Sequence, residues 1–101
     1  RLILPGVGSF DHAMTLLNQS GLREPLEARV LGDKVPVLGV CVGMQMLAAG
    51  SDEGELPGLN WIPGRVRAFA ETPASANLPQ PHMGWNDLNV QPGSLLFADS
   101  E

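Results

Sequence analysis

The chain has 101 residues, a hydrophobic fraction of 44% and a formal net charge of −5. That length holds one small domain, and that apolar fraction belongs to a globular chain rather than a disordered one. The acidic balance argues against nucleic acid as a partner, because phosphate binding needs a basic surface, and the apolar runs are far too short to span a membrane.

Arg1-Leu2-Ile3-Leu4 reads as a strand entered partway along. The chain opens inside this apolar run rather than on Met, so the missing secretory signal weighs little. Pro5-Gly6-Val7-Gly8-Ser9 follows as a loop, since proline and two glycines continue neither helix nor strand comfortably. Ser9 is the expected N-cap of a helix with Asp11 in its first turn and Phe10, Ala13, Met14 and Leu17 at helical spacing. Gly21 stops it. A second helix is expected from about Arg23, with Pro25 in its first turn, one face made by Leu22, Leu26 and Val30, and Gly32 closing it.

The next stretch organises the rest. Val37, Leu38 and Val40 form a short β-branched run that fits a strand covered on both faces. Gly39 and Gly43 stand two residues either side of Cys41, the only cysteine. This is the spacing of a nucleophile elbow with sulfur in place of oxygen. A nucleophile on a strand-to-helix turn has a strained backbone, and glycine flanks remove the side chains that would collide there. The turn also sets Cys41 at a helix N-terminus, where free N–H groups favour a thiolate. From the residues alone a second reading stands beside it, a small core cysteine at a strand end. One cysteine and two histidines make neither a disulfide nor a zinc site, so a reduced, cytoplasmic setting fits, with no metal and no cofactor.

The helix after Cys41 is expected to reach about Ala49, with Met44 and Met46 as core packing. Residues 50–56, with Asp52, Glu53 and Glu55, read as a solvated acidic loop. Trp61-Ile62-Pro63-Gly64 reads as a turn with an apolar anchor. Arg65-Val66-Arg67-Ala68-Phe69 alternates as a half-exposed strand does. Residues 70–81 form the best candidate for a mobile loop. Residues 85–90 alternate again as a strand, Gln91-Pro92-Gly93 turns the chain, and Leu95-Leu96-Phe97 begins another apolar element. Strand, helix, helix, strand, helix is the rhythm of a parallel α/β sheet.

Cys41-Val42-Gly43-Met44-Gln45 resembles the nucleophile motif of the class I, triad-type glutamine amidotransferases, where Leu is commoner than Val after the cysteine. Pro5-Gly6-Val7-Gly8-Ser9-Phe10 resembles the oxyanion-strand loop of one branch of that family, the glutaminases of imidazole glycerol phosphate synthesis. Pro81-His82-Met83-Gly84-Trp85-Asn86 is similar to a third signature of the same branch. The resemblance implies a flavodoxin-like open sheet with a nucleophile elbow. It also implies that residues 1–101 form a partial domain, the central part, lacking the family's N- and C-terminal elements and its late catalytic His and Glu. This chain alone is therefore expected to turn over glutamine negligibly.

The resemblance further implies the chemistry. Cys41 attacks the glutamine side-chain amide, forms a glutamyl thioester and releases ammonia, and water completes the cycle. The oxyanion is met by the N–H of Val42 and by a donor from the Pro5–Gly8 loop, at Val7 or Gly8, with Gly6 beside them. The glycines let that loop switch between idle and oxyanion-binding forms. Gln45 helps hold the substrate. Met83, Gly84, Trp85 and Asn86 face the partner, a (β/α)8-barrel cyclase subunit that receives the ammonia, in a heterodimer. Trp85 reads equally well as a core residue. Neither His12, expected at the surface, nor His82, expected in a structural or interface role, is assigned as the base. The alternatives are an amidotransferase for another synthase and an inactive scaffold that keeps the partner-binding face.

Overall fold

A computed structural model describes residues 1–68 and 84–97. The first unit is β1 (Leu2–Gly6), α1 (Phe10–Gln19), α2 (Arg23–Glu27), a π-helical turn at Ala28–Gly32, β2 (Val37–Cys41) and α3 (Val42–Gln45). β1 and β2 pair in parallel, from Leu2 beside Val37 to Gly6 beside Cys41. Parallel neighbours require a long crossover, which α1 and α2 supply. A second parallel pair joins β3 (Gly50–Ser51) to β4 (Arg65–Val66), extended by Ala49 N–H to the Gly64 carbonyl at 2.8 Å and Asp52 N–H to the Val66 carbonyl at 2.9 Å. The α/β class with parallel strands is as expected.

α1 forms where its pattern places it. The Ser9 hydroxyl accepts the His12 N–H at 3.2 Å, and Phe10 and Met14 are buried one turn apart. With Met46, Leu47 and Leu59 they make the core, against which Leu4, Ala13, Leu17, Val42 and Trp61 pack. Gly21 ends the first helix at φ +76°, and α2 starts at Arg23 with Pro25 in its first turn, where no N–H is needed. α2 buries none of its residues, so the Leu22, Leu26 and Val30 face is at most half covered. It is tied down instead by polar groups: Arg23 reaches Glu27 at 3.2 Å and Asn18 at 2.7 Å, and the Trp61 indole N–H donates to Glu27 at 3.2 Å. Trp61 is thus the anchor of its turn.

Several expectations are corrected. β1 runs on through Pro5 and Gly6 rather than ending at Leu4. Proline is tolerated on an edge strand, where its missing N–H breaks no ladder bond. β2 is not covered on both faces. Leu4 and Gly39 lie towards the packed side, whereas Ile3, Leu38 and Val40 are 70%, 41% and 42% exposed on the other. A strand run shows that a sheet forms, not how many layers cover it. The helix after Cys41 is one turn long, and its continuation tightens: Leu47 N–H bonds to the Met44 carbonyl and Ala48 N–H to that of Gln45. Met46 is buried but Met44 is exposed, so only one of the two packs the core. Residues 50–56 are not wholly loop, because Gly50 and Ser51 form β3.

Residues 85–90 form no strand and are exposed throughout, Trp85 completely, so the core reading of that tryptophan does not hold. Alternation predicts a strand only where a partner strand supplies the ladder. Gln91-Pro92-Gly93 does turn, with Gly93 at φ +81° and Ser94 N–H on the Gln91 carbonyl at 3.2 Å. Leu95 and Leu96 are exposed and lie in turns rather than in a helix or strand. Phe69, the loop at 70–81, His82 and Met83 lie outside the described residues.

Candidate active site

Cys41 ends β2 and caps α3, at φ +56° and ψ −128°. A side-chain-bearing residue in that region is strained by about 1–3 kcal/mol and persists only where its surroundings hold it. The surroundings are backbone packed on backbone. A Cβ on Gly39 would stand 2.6 Å from the Met44 Cα, and one on Gly43 would run into the Leu4 carbonyl, 2.7 Å from its carbon. The flanking glycines let α3 press on both strands. The sulfur is a free thiol on an exposed residue.

Gly6 closes β1 directly beside Cys41 in the register. A Cβ there would lie 2.9 Å from the Gly43 nitrogen and 3.2 Å from the Val42 Cβ. The chain thus leaves the sheet at the level of the cysteine, and the next two residues make the turn. Val7 is 92% exposed, and Gly8 stands at φ +102° with open space around it. That conformation favours glycine. Val42 is the first residue of α3, so its N–H is among those a helix leaves without an internal partner. Gln45, at the other end of the same turn, is half-buried.

The fold thus brings Gly6, Val7, Gly8, Cys41, Val42 and Gln45 to one end of the β1–β2 pair. The remaining expected site residues do not join them in one element. Gly84, Trp85 and Asn86 lie in an exposed segment, and Met83 lies outside the described residues. His12 is exposed on α1.

One residue of this region was legible only as a helix-start acid. The Asp11 carboxylate accepts the Glu55 N–H at 2.9 and 3.0 Å and the Leu56 N–H at 2.9 Å. These two N–H groups hold its pKa below the ordinary aspartate value, the Glu55 bond first. The acidic segment is therefore not simply solvated: its backbone is fastened to α1, and Asp52 pairs with Arg65 at 2.7 Å and Arg67 at 3.8 Å.

A cysteine at positive φ thus stands between a parallel strand and a helix of an α/β fold, with a glycine-rich turn from the neighbouring strand alongside. The chain belongs to the class-I glutamine amidotransferase family, whose model, "Glutamine amidotransferase class-I", matches residues 1–99. It is 62% identical over its whole length to the imidazole glycerol phosphate synthase subunit HisH of Bdellovibrio bacteriovorus, covering 50% of that protein. It is 45% identical over its whole length to the subunit of the same name from Leptospira borgpetersenii, again covering 50%. With the one from Xylella fastidiosa strain Temecula1 it shares 48% over 98% of the chain and 46% of the relative. The chain thus spans about half the length of the curated relatives it matches.

Proposed function

We propose that this chain carries the nucleophile half of a glutaminase that hydrolyses glutamine to glutamate and ammonia for imidazole glycerol phosphate synthesis in histidine biosynthesis. The observation that carries the reading is Cys41 at φ +56°, held between β2 and α3 with Gly6 alongside. An observed backbone outlier of this kind argues for function because folding gains nothing from it.

In this reading residues 1–101 are part of a type 1 glutamine amidotransferase domain, and their sheet belongs to a flavodoxin-like arrangement. The Cys41 sulfur attacks the amide carbon of bound glutamine, and the carbonyl electrons move onto oxygen. The Val42 N–H and a donor at Val7 or Gly8 receive that oxyanion, each such donor contributing about 10²- to 10³-fold in rate. As the C–N bond breaks, the amide nitrogen takes up the proton given up by the thiol and leaves as ammonia, and the acyl group stays on sulfur as a glutamyl thioester. Water attacks the thioester carbonyl and returns the thiol. Gln45 holds the substrate from the first turn of α3. Proton transfer contributes about 10²- to 10⁴-fold, and neither histidine of this chain is assigned to it.

Ammonia then passes to a (β/α)8-barrel cyclase subunit in a heterodimer. Met83, Gly84, Trp85 and Asn86 make part of that interface; a fully exposed tryptophan suits an interface anchor better than a core residue. The shared HisH name of the relatives supports this branch over an amidotransferase serving another synthase. A cytoplasmic setting follows from biosynthetic use. Among the described residues no helix is long and apolar enough to cross a membrane.

The test compares nitrogen sources in the complex with the cyclase. Cys41→Ala should abolish imidazole glycerol phosphate formation from glutamine and leave formation from added ammonia intact. Equal loss from both sources, or no loss from glutamine, would reject Cys41 as the nucleophile.

A further inference from the structure

The Val7–Gly8 turn is pinned at both ends, and the downstream pin is not part of the nucleophile motif. Upstream, Gly6 lies against Val42 and Gly43. Downstream, the turn runs into α1, where the Asp11 carboxylate takes the N–H groups of Glu55 and Leu56. Gly54 fits the same corner tightly: a Cβ there would stand 2.5 Å from an Asp11 oxygen and 3.1 Å from the Phe10 ring. The segment Asp11 grips is itself fixed to the chain just after α3, since the Gly58, Leu59 and Asn60 N–H groups bond to the Ala49, Met46 and Ala48 carbonyls at 2.8–3.0 Å. Asp11 therefore closes a loop of contacts from α3, through residues 55–60, back to the start of α1.

We propose that Asp11 is a positioning residue for glutamine hydrolysis, fixing the start of α1 so that only the exposed Val7–Gly8 turn is free to aim a peptide N–H at the oxyanion formed on Cys41. This rests on the proposed glutaminase reading. The carboxylate does not touch substrate; it acts through the loop that precedes its own helix. Misplacing a reacting or stabilising group by about 1 Å costs up to about 10²-fold in rate.

The experiment measures glutamine hydrolysis by the complex with its cyclase subunit, with kcat expressed per titratable Cys41. Asp11→Ala should lower kcat by about tenfold or more with KM for glutamine unchanged. Asp11→Asn, whose one amide oxygen can accept both N–H groups, should recover most of that loss. Unchanged kcat per reactive Cys41 in Asp11→Ala, even with a lowered melting temperature, would overturn the proposal. If Asp11→Ala does not fold, Asp11→Ser, too short to reach those N–H groups, takes its place with the same two outcomes. A wild-type complex that hydrolyses no glutamine overturns the functional reading and this inference with it. An active wild type with an indifferent Asp11→Ala overturns the inference alone.

Discussion

Gly6 and Gly43 meet backbone to backbone: a methyl group on Gly6 would lie 2.9 Å from the Gly43 nitrogen. This contact sets the end of β1 against the start of α3 and brings the Val7–Gly8 turn to the level of Cys41. It makes Gly6 a poor probe of that turn, because a side chain there pushes on α3. Gly8 is the clean probe. Its surroundings are empty, so Gly8→Ala suffers only the left-handed backbone penalty, about 1 kcal/mol. It should reduce cyclase-stimulated glutamine turnover far more than stability, whereas Gly6→Ala should reduce both. Parallel losses in Gly8→Ala, read by steady-state kinetics and urea unfolding, would remove the turn from the mechanism.

The strain at Cys41 should be measurable as stability. Cys41→Gly relieves the positive φ and Cys41→Ala does not. Chemical denaturation should therefore find the glycine variant more stable than the alanine variant by about 1 kcal/mol, both being inactive. An alanine variant as stable as the glycine variant would show that the backbone there is relaxed.

Close packing separates the glycines in the same way. Gly39→Ala and Gly43→Ala force atoms into occupied backbone and should lose about 1–3 kcal/mol or more. Gly32→Ala, in the π-helical turn with nothing nearby, should be neutral or gain up to about 1 kcal/mol. Thermal unfolding of the three variants distinguishes the two behaviours.

Asp11 gives an acid-side prediction. Its folded pKa lies below its unfolded one, so its contribution is complete above the ordinary aspartate pKa and is lost as pH falls through the depressed folded value. Stability of the wild type should therefore fall more steeply below the ordinary aspartate range than that of Asp11→Asn. Identical acid-unfolding curves would mean that the Glu55 and Leu56 bonds contribute nothing to that dependence.

What was legible in the sequence is what neighbours in the chain decide. Ser9 capping α1, the Phe10 and Met14 stripe, Pro25 opening α2, and the glycines around Cys41 are all local rules. The misreadings come from partners distant in sequence. Leu38 and Val40 announce a strand, but their exposure depends on which layers lie over the sheet. The alternation of 85–90 has the right period and, among the described residues, no strand beside it. The grip of Asp11 on Glu55 and Leu56 joins residues more than forty positions apart, and nothing in an Asp near a helix start distinguishes a remote acceptor from a dipole-compensating charge.

The most direct test is covalent labelling of the protein, in complex with its cyclase subunit, by a glutamine-shaped electrophile, followed by peptide mass mapping. A single adduct on Cys41, slowed by excess glutamine and absent in Cys41→Ser, is the expected result. Labelling that glutamine does not slow, or an adduct on another residue, would contradict the assignment of Cys41 as the nucleophile that opens glutamine.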